Sequence, residues 1–190
     1  MRALLLQGKQ EDAVGYAFEM YFDKRSEQVL RAVWQELRRK GLLSPDLQHD
    51  AKPHISLSVC DELGSPVIHQ IIDEFCSVHK PFSLMMGFIG TFISNENVVF
   101  VAPNMTEELR QIHRDFHDRL RSVQMSVWEY YLPDKWQPHC TMATGIPESA
   151  YMEAFETVRS SFRPLMVTIE SVGLIEFRPI RQLHQSRLGQ

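Results

Sequence analysis

The chain has 190 residues, 44% of them hydrophobic, and a formal charge of −4. That is enough apolar content for the core of one domain, and the charge excludes the basic footprint of a protein that grips long nucleic acid by neutralising phosphates. No run approaches the ~20 apolar residues of a membrane span, Ala3 to Leu6 is too short for a signal-peptide core, and the three scattered cysteines lack C-x-x-C spacing. The expectation is one soluble, cytoplasmic domain over residues 1–190, with buried free thiols and no membrane partner.

From the start, Val14, Tyr16, Phe18, Met20 and Phe22 alternate with Gly15, Ala17, Glu19 and Tyr21, which predicts a half-buried strand. A helix is predicted over 26–40, with Val29, Leu30, Val33, Trp34 and Leu37 on one stripe and Gly41 ending it. Residues 42–52 read as a polar loop. A second strand begins at His54, and Ser65-Pro66 predicts the cap and first residue of a helix through Phe75. Strands follow at 82–92 and 98–102, with the turn-forming "SNEN" between them. Asn104 and Glu107 resemble a capping box for a helix whose stripe is Leu109, Ile112, Phe116 and Leu120. Strands are predicted near 126–131 and at 139–144, a helix opening at Pro147, and one strand or a pair over 165–177.

Two of these strands are alike. "KPHISLSV" (52–59) and "QPHCTMAT" (137–144) each carry Pro-His followed two residues later by a hydroxyl, and the histidines lie 85 residues apart. Lys80-Pro81 and Gly90 follow His54 at nearly the spacings at which Arg163-Pro164 and Gly173 follow His139, as a duplicated βαβ-like half would give. Residues i and i+2 of a strand share a face, so His54 with Ser56 and His139 with Thr141 each present an imidazole beside a hydroxyl. If the halves meet about a pseudo-twofold axis, two imidazoles flank a pocket floored by two hydroxyls. That set suits a phosphodiester: one histidine takes a proton from the nucleophile, the other gives one to the leaving oxygen, and the hydroxyls bind phosphate oxygens. The sequence leaves the two roles interchangeable.

The paired H-x-[ST]-x strands, His54-Ile55-Ser56-Leu57 and His139-Cys140-Thr141-Met142, resemble the mark of the two-histidine (2H) phosphoesterase superfamily, which includes RNA 2′,5′-ligase-like proteins and cyclic nucleotide phosphodiesterases. "VVFVAP" (98–103) and "GLIEF" (173–177) extend the likeness over most of the chain. The resemblance implies a bilobal, duplicated α+β fold, two antiparallel sheets flanked by helices around a central cleft. It also implies metal-independent chemistry, without a cofactor, at a cyclic or 2′,5′ phosphodiester of a small nucleotide or RNA end. His54 and His139 would be catalytic, and Ser56 and Thr141 substrate-binding. The alternative is a noncatalytic module that holds a nucleotide or RNA phosphate in the same cleft.

Tyr130, Lys135 and Trp136, just before the second motif, are candidate substrate contacts through base stacking or phosphate attraction, with core packing as the competing reading. Arg178 is a candidate cleft residue, against a solvated arginine. His113 and His117 have the i, i+4 spacing of a metal pair, but Arg114 stands where a zinc-protease helix has its glutamate, so no metal role is assigned. Ser58 has Ala143 as its counterpart and receives none either.

Overall fold

The computed structural model describes residues 14–44, 47, 51–92, 97–177 and 179–190. Its elements are β1 (Gly15–Phe22), α1 (Lys24–Arg39), β2 (His54–Cys60), α2 (Ile68–Val78), β3 (Phe82–Thr91), β4 (Val99–Pro103), α3 (Glu107–Ser122), β5 (Cys140–Ala143), α4 (Glu148–Ser161), β6 (Leu165–Phe177) and β7 (Arg181–Arg187). The fold is α+β, with every strand pair antiparallel.

The strands run β2-β1-β6-β3-β4-β5, with β7 also on β6. Exchanging β1 with β4, β2 with β5 and β3 with β6 leaves that order unchanged. The two sheets implied by the resemblance are joined into one hydrogen-bonded sheet, because the 13-residue β6 is long enough to serve both. Its first part, Leu165 to Ile169, pairs with β3, and its remainder pairs with β1 and β7.

One apolar core unites the four helices with one face of the sheet. The helices contribute Leu30, Val33 and Leu37 from α1, Ile72 and Phe75 from α2, Leu109, Phe116 and Leu120 from α3, and Val158 from α4. Phe116 is its hub, edge-on to Phe18 at 5.2 Å and to Phe75 at 5.1 Å. Because alternate strand residues feed this core, His54, Ser56, Glu19 and Tyr21 are turned to the other face.

Several expected boundaries move. α1 starts at Lys24, two residues before the expected 26, because Asp23 caps it: Asp23 Oδ1 accepts from the backbone N–H of Arg25 and Ser26. α3 is capped by Thr106, whose hydroxyl oxygen accepts from Leu109 N–H, while Asn104 N–H is taken by the Met85 carbonyl. α2 begins at Ile68 without a side-chain cap. The strand expected at 126–131 is loop and a 3-10 turn, Glu129–Tyr131; the indole of Trp128 donates to Asp61 and its ring covers Ala17, Val59 and Ile175. The "SNEN" turn, apart from Asn97, and His49 lie outside the described residues.

Candidate active site

Each motif histidine is set by the same short-range device. Nδ1 of His54 donates to the Lys52 carbonyl oxygen at 2.7 Å, and Nδ1 of His139 donates to the Gln137 carbonyl oxygen at 2.7 Å. A carbonyl can only accept, so Nδ1 carries the hydrogen in both rings and Nε2 is the nitrogen turned away from that bond. The intervening Pro53 and Pro138 hold the backbone that brings the second preceding carbonyl under the ring.

β2 and β5 approach one another at the far ends of the strand order. The Cys140 thiol interacts with the backbone of His54, and charge on His54 disfavours charge on His139. Burial is the larger influence on His139 and pushes its pKa below the ordinary imidazole value. Its ring sits against Phe92 at 4.8 Å and Phe100 at 5.1 Å.

His54 has different company. Its Nε2 lies 3.2 Å from Oε1 of Glu19, a carboxylate only 3% exposed. Burial raises the pKa of Glu19, against the lowering effects of His54, the Tyr21 hydroxyl and Lys52. Tyr21 Oη is 2.7 Å from Glu19 Oε2 and 3.0 Å from Gln182 Oε1. Gln182 is oriented by its own amide, which donates to the Leu174 and His184 carbonyl oxygens. These groups open on a cavity of about 450 Å³, lined by Glu19, Tyr21, Lys52, His54, Arg181 and Gln182 among others; His139 is not part of its wall.

Ser56 and Thr141 are half-buried on their strands, and their backbones are clamped from elsewhere. Trp136 Nε1 donates to the Ser56 carbonyl oxygen at 2.9 Å, and Trp34 Nε1 donates to the Thr141 carbonyl oxygen at 3.1 Å. Trp136 is buried and stacked on His113 at 3.8 Å, the packing role that competed with a substrate contact in the sequence. Tyr130 is 61% exposed, and Lys135 is paired with Glu129 at the surface. Arg178 lies outside the described residues.

His113 and His117 both point Nε2 at the Leu57 carbonyl oxygen, at 3.0 and 3.2 Å, so their helical spacing braces β2. Among the described residues no group of three or more His, Cys, Asp or Glu side chains is arranged to hold a metal ion, and no helix is long and apolar enough to cross a membrane. The sequence reading missed Glu19 and Tyr21: an acid and a tyrosine alternate on one side of a strand whose other face is apolar, a pattern that a solvated strand face shares.

Known proteins give the comparison. A provisionally named phosphoesterase of Bacillus cereus strain B4264 is 26% identical over 110 residues, which is 56% of this chain and 60% of that relative. Among solved structures, TT0787 of Thermus thermophilus superposes with a TM-score of 0.65 at 12% identity, covering 92% of this chain and 98% of that one. E. coli LigT in apo form gives 0.61 at 12% identity, covering 94% and 99%. LigT complexed with 3′-AMP gives 0.58 at 12% identity, covering 92% and 98%. These likenesses show the fold. The profile described as the 2′-5′ RNA ligase superfamily matches residues 26–179, a span that contains both Pro-His strands, and the chain therefore belongs to that superfamily.

Proposed function

We propose that the protein is a metal-independent 2H phosphodiesterase acting on a cyclic or 2′,5′ phosphodiester of a small nucleotide or RNA end, with His54 and His139 as acid and base. The carrying observation is the matched pair of Pro-His elements, each with Nδ1–H spent on its own chain and Nε2 turned away from that bond. Ser56 and Thr141, two residues on, are the phosphate-binding hydroxyls of this reading. One Nε2 removes a proton from the attacking water as the new P–O bond forms. The other protonates the leaving oxygen as the old one breaks. The two-lobe organisation of residues 1–190 belongs to the same reading and is supported by the strand order. E. coli LigT, solved with 3′-AMP, ATP and phosphate, supports a small nucleotide as ligand.

The test is turnover of 2′,3′-cyclic nucleotides and short 2′,5′-linked oligonucleotides in EDTA. Wild-type protein should turn over at least one of them with a bell-shaped pH dependence, and His54→Ala and His139→Ala should each lower turnover by about 10²–10⁴. Activity that needs added divalent metal would overturn the mechanism. Nucleotide binding without turnover would leave the noncatalytic module as the function.

A further inference from the structure

The two motif strands match in backbone and differ in one neighbour. Across β2-β1-β6, Ser56 pairs with Glu19 and Glu19 with Gly173; across β5-β4-β3, Thr141 pairs with Phe100 and Phe100 with Gly90. The same place in the sheet therefore holds a buried carboxylate beside His54 and a phenyl ring beside His139.

Hydrogen-bond accounting turns that difference into chemistry. Nδ1 of His54 meets the Lys52 carbonyl at 2.7 Å and its Nε2 meets Glu19 Oε1 at 3.2 Å, a contact that needs one proton held between the nitrogen and the carboxyl oxygen. His139 has a carbonyl at Nδ1 and phenyl rings beside it, and among the described residues no acceptor meets its Nε2. An apolar wall favours the neutral ring.

We propose that Glu19 is a positioning residue that keeps a proton on Nε2 of His54, so that His54 serves as the acid and His139, walled by Phe92 and Phe100, as the base. This rests on the phosphodiesterase reading above. His54 Nε2–H is donated to the leaving oxygen, which takes the electron pair of the breaking P–O bond. His139 Nε2 accepts the proton of the attacking water. Solvent exchange then restores the proton shared by His54 and Glu19.

Other charged and titratable groups face the pair from each neighbouring element. Tyr21 on β1 sets its hydroxyl against Oε2, and Lys52, whose Nζ lies 5.0 Å from the Tyr21 ring centre, favours the ionised carboxylate. From β7, Arg181 lines the cavity but is paired with Glu176 at 2.7 Å. From the β5 side come His139 and the Cys140 thiol, which burial holds protonated. Gly173 and Ile175 of β6 bring no charge.

Site-resolved ¹⁵N NMR of the histidine rings, assigned with His54→Gln and His139→Gln, tests this without any substrate. In the wild-type protein at pH ~7, Nε2 of His54 should be protonated and Nε2 of His139 bare. Glu19→Gln should strip the proton from His54 Nε2, and Glu19→Asp should retain it in part. The proposal is overturned if the wild-type protein shows the reverse order or both nitrogens bare, or if Glu19→Gln leaves His54 unchanged. The wild-type spectrum decides even if Glu19→Gln does not fold. With an active substrate, Glu19→Gln should also move the alkaline limb of the pH profile down by at least ~1 unit, a tenfold loss of rate on that limb, and leave the acid limb in place. An unmoved alkaline limb would overturn the acid role. Absence of turnover in the wild type would count against the phosphodiesterase reading, while the NMR result would still judge Glu19.

Discussion

A proline before each histidine and a glycine beside each motif row set the residue-scale geometry. A Cβ on Gly173 would lie 2.4 Å from Cε2 of Tyr21 and 2.7 Å from Nε2 of Gln182, and one on Gly90 would lie 2.6 Å from Cζ of Phe100. Both positions therefore give an aromatic ring room to lie flat across the sheet. Gly173→Ala should displace Tyr21, break its contact with Glu19 and cost roughly 1–3 kcal/mol by overpacking, visible in denaturant melts. Ser58 runs the opposite way. Its hydroxyl is fully buried and has no hydrogen-bond partner, so Ser58→Ala should leave stability unchanged or raise it by up to ~1 kcal/mol. A loss above ~1 kcal/mol would show that the hydroxyl is satisfied. The motif histidines were legible because Pro-His with a hydroxyl two residues on is unusual twice in one chain. Glu19 was not legible, because an acid on the polar side of a strand looks solvated until a second sheet row and a tyrosine cover it.

Among elements, support crosses between the halves. α1 packs against β5, with Trp34 holding the Thr141 carbonyl, while α3 packs against β2, with His113 and His117 holding the Leu57 carbonyl. The helix of one half thus positions the motif strand of the other. Trp34→Phe should preserve most apolar packing but orphan a backbone carbonyl, at about 1–2 kcal/mol, and should depress activity as if Thr141 had been damaged. Trp136→Phe should do the same through Ser56. Melts combined with Michaelis parameters test this: stability loss with unchanged KM and kcat would refute the clamping role. Apolar stripes made α1 and α3 legible, and prolines near their starts, Pro66 and Pro147, signalled α2 and α4. The caps were not legible: Thr106 stands two residues from the expected Asn104, whose N–H goes to the Met85 carbonyl, and α2 starts past Ser65 without a side-chain cap. β7 went unseen because R-Q-L-H-Q-S-R offers no apolar alternation; it is an exposed strand recruited by β6.

At the scale of the whole molecule, holding neutral imidazoles inside the core couples folding to pH. Burial, then the neighbouring His117, push the pKa of His113 down from 6.5 to about 3; burial also lowers that of His117. The unfolded chain takes up these protons near pH ~6.5 and the folded chain does not, so the stabilisation is complete above ~6.5 and is lost progressively as pH falls toward ~3. For His113 alone the loss is about 2 kcal/mol by pH ~5, a large share of a typical 5–15 kcal/mol. Glu19 contributes with the opposite sign. Its raised pKa means that the folded state holds the carboxyl proton longer than the unfolded chain, which costs stability above the ordinary carboxylate range. The two effects separate by substitution. Urea melts from pH ~5 to ~8 should show wild-type stability falling on acidification, and His113→Gln, which keeps an amide donor for the Leu57 carbonyl but cannot titrate, should flatten that fall. Glu19→Gln should leave the acid side steep and raise stability at pH ~7–8. A wild-type curve flat between pH ~5 and ~7, or one equally steep in His113→Gln, would show that this histidine is not held neutral by the fold.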